Sequence, residues 1–217
     1  MSTTSTTSTT STTSTMPTSI STNFSIPTER LHISYFEPGN HSHSTFLHHL
    51  WNTDEFIATE GNLGIDTPEK AGEFITIKVQ PNYKKNGYGQ MLVSLKPYPG
   101  ATLAESKPIG IVTLMKGTGE NAYTAPDVGY TTLPEENGKG YATEAAIGLI
   151  AYAKRELGVN EVFGFCDHNN MRSRRVLEKI GMEFRGERHL KYFGGAHSAV
   201  YALPGMGDLK DYGIEDV

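Results

Sequence analysis

Seven apolar residues, Ala142, Ala145, Ala146, Leu149, Ile150, Ala153 and Leu157, recur at the spacing of one helical face. Gly158 follows, where a left-handed C-cap is wanted. Residues 161–166 (EVFGFC) read as a buried strand. A further strand before the helix is closed by Leu133 and Pro134. Two strands flanking a helix require a parallel crossover. A second helix opens at Asn169/Asn170, a capping residue type, and stops at Gly181.

The remaining pattern surrounds this unit. Residues 31–36 (LHISYF) alternate like a strand, and Pro38-Gly39-Asn40 breaks it. Ser44 or Thr45 then caps a helix through Trp51. Thr67-Pro68-Glu69 starts another helix with a cap, a proline and an acid near its positive end. Residues 73–79 (EFITIKV) fit a strand by composition, while Ala71, Phe74, Ile75 and Val79 also fit a helical face. Asn86-Gly87 marks a turn, and residues 90–95 and 109–115 read as antiparallel strands. Proline and glycine make 96–108 a loop. After Met182 a strand runs to about Arg185, and residues 189–193 and 199–203 complete the sheet.

The chemistry concentrates in Asn137-Gly138-Lys139-Gly140, which leads into the long helix. Glycine lets the backbone approach a ligand closely, and a helix N-terminus offers unpaired N–H groups with partial positive charge. The N–H groups of Gly138, Lys139, Gly140, Tyr141 and Ala142 are expected to converge there, with Lys139 adding charge. A diphosphate is the natural guest. A Walker loop requires Ser or Thr after the lysine, and Lys139 is followed by Gly140. A dinucleotide fingerprint requires a small residue where Thr143 stands. Neither motif fits.

The chain resembles the GNAT acetyltransferases, in particular the branch of bacterial ribosomal-protein N-terminal acetyltransferases and their fungal relatives. The matching blocks, in order, begin with Thr28-Glu29-Arg30-Leu31, Pro108-Ile109-Gly110 and Gly129-Tyr130. Residues 138–145 (GKGYATEA) follow, then Asn170 and Ser173, then 178–182 (EKIGM). The likeness spans roughly residues 26–203. Glu135 departs from the Gln or Arg common at the start of the loop motif. The resemblance implies an α/β GNAT fold: a mixed, mostly antiparallel sheet with a central splayed pair of parallel strands, flanked by helices. It implies acetyl-CoA as co-substrate, no metal, and transfer of the acetyl group to an amine acceptor by direct attack in a ternary complex.

The same resemblance nominates residues. Tyr130, Thr131 and Thr132 join Asn137, Gly138, Lys139, Gly140, Tyr141, Ala142 and Thr143 around the coenzyme. Asn170 bonds the pantetheine arm or caps its helix, roles that can coexist. Asp127 accepts the amine proton directly or through water, or is a solvated carboxylate at a strand start. Ser173 stands near the coenzyme sulfur as a general acid, or hydrogen-bonds the thiolate, or is only a helix-terminal serine. Glu144 belongs to the motif, but an acid in a first turn stabilises the helix dipole anyway. Cys166 reads as buried packing, and Trp51 and Tyr83 as acceptor-groove or core aromatics.

Composition narrows the setting. The chain has 217 residues, enough for one core, and its 24 acidic against 19 basic residues give a net charge of −5. Without a basic face, nucleic acid is not an expected partner; nor is a membrane. One cysteine excludes an intramolecular disulfide and points to a reducing compartment. Residues 1–25, mostly Ser and Thr, read as a disordered tail lacking the apolar centre of a secretory signal. The enzyme is therefore expected in the cytoplasm. The catalytic domain is expected over 26–205, with a mobile acidic tail over 206–217. His41, His43, His48 and His49 admit a metal site or a polar helix face. Three functional classes stay open: acetylation of a protein or peptide N-terminus, acetylation of a small amine, and a non-catalytic acetyl-CoA-binding module. A monomer or a homodimer fits each.

Overall fold

The structure, a computed structural model, describes residues 24–119 and 121–215. The Ser/Thr-rich stretch 1–23 lies outside the described residues. The chain begins with strands β1 (Ser25–Pro27) and β2 (Leu31–Tyr35), whose Leu31 and Ile33 are fully buried. Helix α1 (His41–Trp51) is capped by Asn40, whose side chain accepts from the His43 N–H at 3.3 Å. The cap therefore stands four residues before Ser44 and five before Thr45, the expected hydroxyls. Ser44 lies inside the helix and donates to the Asn40 carbonyl instead.

Thr53 caps α2 (Asp54–Glu60), and Thr67 caps α3 (Pro68–Phe74) with Pro68 in the first turn. The ambiguous EFITIKV segment is helical. Residues Ile75–Val79 form a π turn that continues directly into α4 (Gln80–Asn86). Pro81 explains the local change of register, because it brings no N–H and its ring excludes the carbonyl four residues back. Trp51 and Tyr83 are each 4% exposed and belong to the core, not to a groove. The Tyr83 hydroxyl accepts from the Phe36 N–H at 3.2 Å.

Strands β3 (Gln90–Leu95), β4 (Lys107–Met115) and β5 (Asp127–Thr132) extend the sheet antiparallel. Helix α5 (Tyr141–Leu157) returns the chain to β6 (Phe163–Asp167), which lies parallel to β5. Helix α6 (Met171–Ile180) runs from the Asn170 cap to Gly181. Strands β7 (Glu183–Leu190) and β8 (Ala196–Ala202) close the order β1-β2-β3-β4-β5-β6-β8-β7. The expected short strands at 183–185 and 189–193 are thus one strand and a 3-10 turn, Lys191–Phe193. An irregularity between Phe184 and Glu187, with Gly186 at φ 103°, interrupts the pairing that the polar sequence had hidden.

The chain therefore has the GNAT fold, with eight strands and one parallel pair among the described residues. Helix α5 buries Ala145, Ala146, Leu149 and Ala153 against the sheet. At Gly148 a Cβ would meet the Thr28 methyl at 2.8 Å and the Ile33 δ-methyl at 3.1 Å, so any larger residue would push those side chains aside. A second, smaller apolar cluster joins Tyr123, Phe163, Leu190 and Val200 to Met206, Tyr212 and Ile214. The segment expected as a mobile acidic tail is docked by those last three residues. The Tyr212 hydroxyl donates to Glu161 at 2.7 Å. Among the described residues, no helix is long and apolar enough to cross a membrane.

Candidate active site

Strands β5 and β6 share one residue pair, Asp127 with Phe163, and then part. Beyond that point a groove of about 740 Å³ opens, lined by Val128 to Thr132 of β5, by Phe165 of β6 and by the loop entering α5. Its volume falls in the range of roughly 300–1,000 Å³ usual for cofactor sites. Helix α2 forms one wall through Glu55, Phe56 and Thr59, and α6 forms another through Asn170, Arg172 and Ser173.

The loop is shaped by two left-handed glycines, Gly138 at φ 76° and Gly140 at φ 83°, with Gly140 as the N-cap of α5. No side chain caps this helix, so its first N–H groups face the groove margin without a side-chain partner. Gly138, Gly140, Tyr141, Ala142 and Thr143 all line the groove. Asn137 lines it too, held by Thr132, whose hydroxyl donates to its Oδ1 at 2.7 Å. This cradle fits an anionic diphosphate: two glycines allow close backbone approach, and the helix terminus supplies donors.

Lys139 departs from expectation. Its ammonium bonds Glu136 at 2.8 Å, and it is not among the groove-lining residues. Positive charge comes instead from Arg172, Arg175 and Lys179, which recur three and four residues apart along α6. That helical spacing was the available signal for them. Glu55 of α2 reaches two of the groove residues, taking a bond from Asn137 at 2.8 Å and pairing with Arg172 at 2.5 Å.

At the inner end, Asn170 accepts from the Ser173 N–H at 3.0 Å and so caps α6 while lining the groove. The Ser173 hydroxyl lies 2.8 Å from the Tyr130 hydroxyl, which also reaches the Ser173 carbonyl at 2.9 Å. Burial raises the Tyr130 phenol well above its ordinary range, so it stays protonated. Cys166 is close to Ser173, and burial pushes its thiol up.

Alternation along β5 sends Tyr130 toward α6 and Asp127 and Gly129 to the opposite face. Asp127 sits at the closed end of the strand separation and accepts a hydrogen bond from the Tyr123 hydroxyl. It is not among the groove-lining residues. Burial raises its carboxyl from 3.8 to about 6, although the Tyr123 bond pulls in the other direction. Tyr123 was not anticipated, because it sits in a loop with no motif around it.

Other candidates have structural duties. Glu144 accepts from the Thr28 hydroxyl at 2.6 Å, the Arg30 N–H at 2.7 Å and the Arg30 Nε at 2.6 Å. The histidine segment is α1. There His43 Nδ1 accepts from the Glu37 N–H at 3.0 Å, and burial lowers its imidazole. Among the described residues no group of three or more His, Cys, Asp or Glu is arranged to hold a metal ion.

Comparisons with known proteins identify the family. The acetyltransferase (GNAT) domain model matches residues 31–183, and the chain belongs to the GNAT family. It is 29% identical over 123 residues to the uncharacterized N-acetyltransferase YnaD of Bacillus subtilis (strain 168), across 57% of this chain and 64% of that protein. The match thus spans less than two thirds of that relative's length. A GNAT-family acetyltransferase from Bacillus anthracis superposes with a TM-score of 0.62 at 25% identity, over 83% of this chain and 98% of its own. RimL, a ribosomal-protein alpha-N-acetyltransferase solved with coenzyme A disulfide-linked to a cysteine, shares the fold. Its TM-score is 0.62 at 16% identity, over 82% of this chain and 97% of its own.

Proposed function

We propose that this chain is an acetyl-CoA-dependent N-acetyltransferase acting on a primary amine. One observation carries the reading. A glycine loop at an uncapped helix N-terminus borders a groove that opens where two parallel strands part. Gly138 to Ala142 would seat the diphosphate, and Arg172, Arg175 and Lys179 would meet the remaining phosphate charge. The RimL complex with coenzyme A supports this assignment of ligand.

In the proposed reaction the acceptor reaches the site as an ammonium ion. Asp127, with its carboxyl near 6, takes one proton, directly or through water, and passes it to solvent. The amine nitrogen then bonds the acetyl carbon, the carbon–sulfur bond breaks, and sulfur leaves with the bonding pair. The second amine proton is lost as the amide forms, and the sulfur gains one. Ser173, oriented by Tyr130 and adjacent to Cys166, is the proposed donor of a hydrogen bond to that sulfur. The ionised serine is too basic for more than transient proton transfer, so holding donor and amine together is expected to supply most of the rate.

Thermal unfolding of the full chain with and without acetyl-CoA tests the reading. A ligand at 100 times its Kd stabilises by about 2.7 kcal/mol. The parent is expected to shift and Gly140→Glu to lose the shift. An unshifted parent would overturn the coenzyme assignment.

A further inference from the structure

On the face of the sheet away from α6, a second cavity of about 190 Å³ lies against the same strand separation. Its walls include Tyr123, Phe165, Leu190, Tyr192 and Ile214. Tyr123 packs against Phe165 and against Tyr192, each with ring centroids 5.0 Å apart. Phe165 lines both this cavity and the coenzyme groove, so one ring stands between them. Tyr123 also donates to Asp127 at the closed end of the separation. Tyr123 thus links the cavity wall to the proposed base, and Phe165 is the residue the cavity shares with the groove.

The charge at the rim is internally satisfied. Lys191 and Glu215 line the cavity and pair with each other at 3.4 Å, leaving neither sign in excess. Aromatic and aliphatic side chains make up most of the wall, beside Asn121 and the Lys191–Glu215 pair, and the space suits one amino-acid-sized substituent. Ile214 and Glu215 belong to the docked C-terminal segment, so that segment builds part of the wall.

We propose that this cavity receives the substituent of the acceptor amine, and that the substituent is uncharged and apolar, aromatic or large aliphatic. This inference rests on the acetyl-transfer reading. It adds that the amine lies toward Asp127 while its side group fills the space between Tyr123, Tyr192 and Ile214. A free amine and the first residue of a peptide present the same chemistry here.

The test measures CoA thiol release by the full chain with acetyl-CoA and a panel of amines. The panel holds phenethylamine, spermidine, and tripeptides beginning with Phe, Leu, Asp or Lys. The apolar members are expected to exceed spermidine and the charged-first peptides at least tenfold in kcat/KM. Whether phenethylamine or the Phe-first peptide leads identifies the source of the shared chemistry. Tyr192→Ala, at a partly exposed ring, is expected to raise KM for the apolar amines about tenfold with kcat little changed, and Tyr192→Phe to retain the parent value.

Equal or better use of spermidine or the Lys-first peptide would overturn the inference. So would a preference untouched by Tyr192→Ala, or turnover of no amine in the panel. If acetyl-CoA still protects the protein from heat in those cases, the coenzyme reading survives and only the cavity assignment fails. If acetyl-CoA gives no protection, both fail.

Discussion

The Glu55 carboxylate and the Arg172 guanidinium meet at 2.5 Å, joining α2 to α6 across the groove proposed for the coenzyme. The other Glu55 oxygen takes the Asn137 amide at 2.8 Å, so one acidic side chain engages two groups suited to phosphate or to the coenzyme arm. Both partners are substantially exposed, at 41% and 67% of the side chain. Such a pair is worth about 0.2–1 kcal/mol.

Glu55→Ala is therefore expected to tighten CoA binding about two- to fivefold, because a competing anion leaves the groove. Stability should fall by less than about 1 kcal/mol. Calorimetric titration with CoA, beside a thermal melt, measures both. Unchanged or weaker binding would mean that Glu55 helps hold the ligand instead of competing with it.

Asp127 predicts a pH dependence with a definite sign. Burial raises its folded carboxyl to about 6, above the ordinary 3.8, so the folded state binds this proton more tightly than the unfolded state. Its contribution favours folding most below the ordinary value and is lost as pH rises through about 6. Asp127→Asn is expected to remove that slope and to stabilise the protein at pH 8 by roughly 1–3 kcal/mol. It should lower acetyl transfer by about 10²–10⁴-fold. Paired melts at pH 5 and pH 8, with a pH–rate profile, check each part. Full activity of the variant at every pH would remove Asp127 as the base.

Glu144 should tilt stability the other way. Burial opposes its ionisation, but hydrogen bonds from Thr28 and from the Arg30 backbone and side chain outweigh that and hold the carboxyl below its usual range. Its contribution is present above the ordinary carboxylate range and is lost as pH falls through the depressed value. Glu144→Ala is expected to cost about 1–3 kcal/mol at pH 7, reduced by the partial exposure of Arg30, and less at pH 3. Denaturant melts at the two pH values read the difference.

Ser173 and Tyr130 should act as one unit. Ser173→Ala leaves the backbone carbonyl that the Tyr130 phenol also reaches, so the fold is retained. Turnover is expected to fall about tenfold, with CoA affinity within a factor of two. Tyr130→Phe frees the Ser173 hydroxyl to rotate and should give a smaller loss, and the double variant should be no worse than Ser173→Ala alone. Strictly multiplicative losses would separate the two residues.

What the sequence made legible was local. The α5 face, the Gly158 and Gly181 stops and the Asn170 cap each depend on residues within a turn or two, and the loop glycines announce their left-handed geometry. Pairings made across the fold left no such mark. Glu55 meets Asn137 and Arg172 from more than eighty residues away, and Tyr123 reaches Asp127 from a loop outside any motif. Nor did the motif announce that the Lys139 ammonium pairs with Glu136, which sits in the preceding 3-10 turn. The segment from Met206 looked mobile because acids and glycines interrupt its apolar residues, yet Met206, Tyr212 and Ile214 are buried.

The single shared pair between β5 and β6 also makes the sheet discontinuous. Past Asp127 and Phe163, the protein has two sheet edges facing one another in its interior, and an edge is a template for one more extended chain. An extended ligand arm threaded between them would be held as a temporary rung, by main-chain groups as well as side chains. Amide exchange along residues 128–132 should accordingly slow when acetyl-CoA is added, which would make the coenzyme a structural member of the sheet for as long as it stays bound.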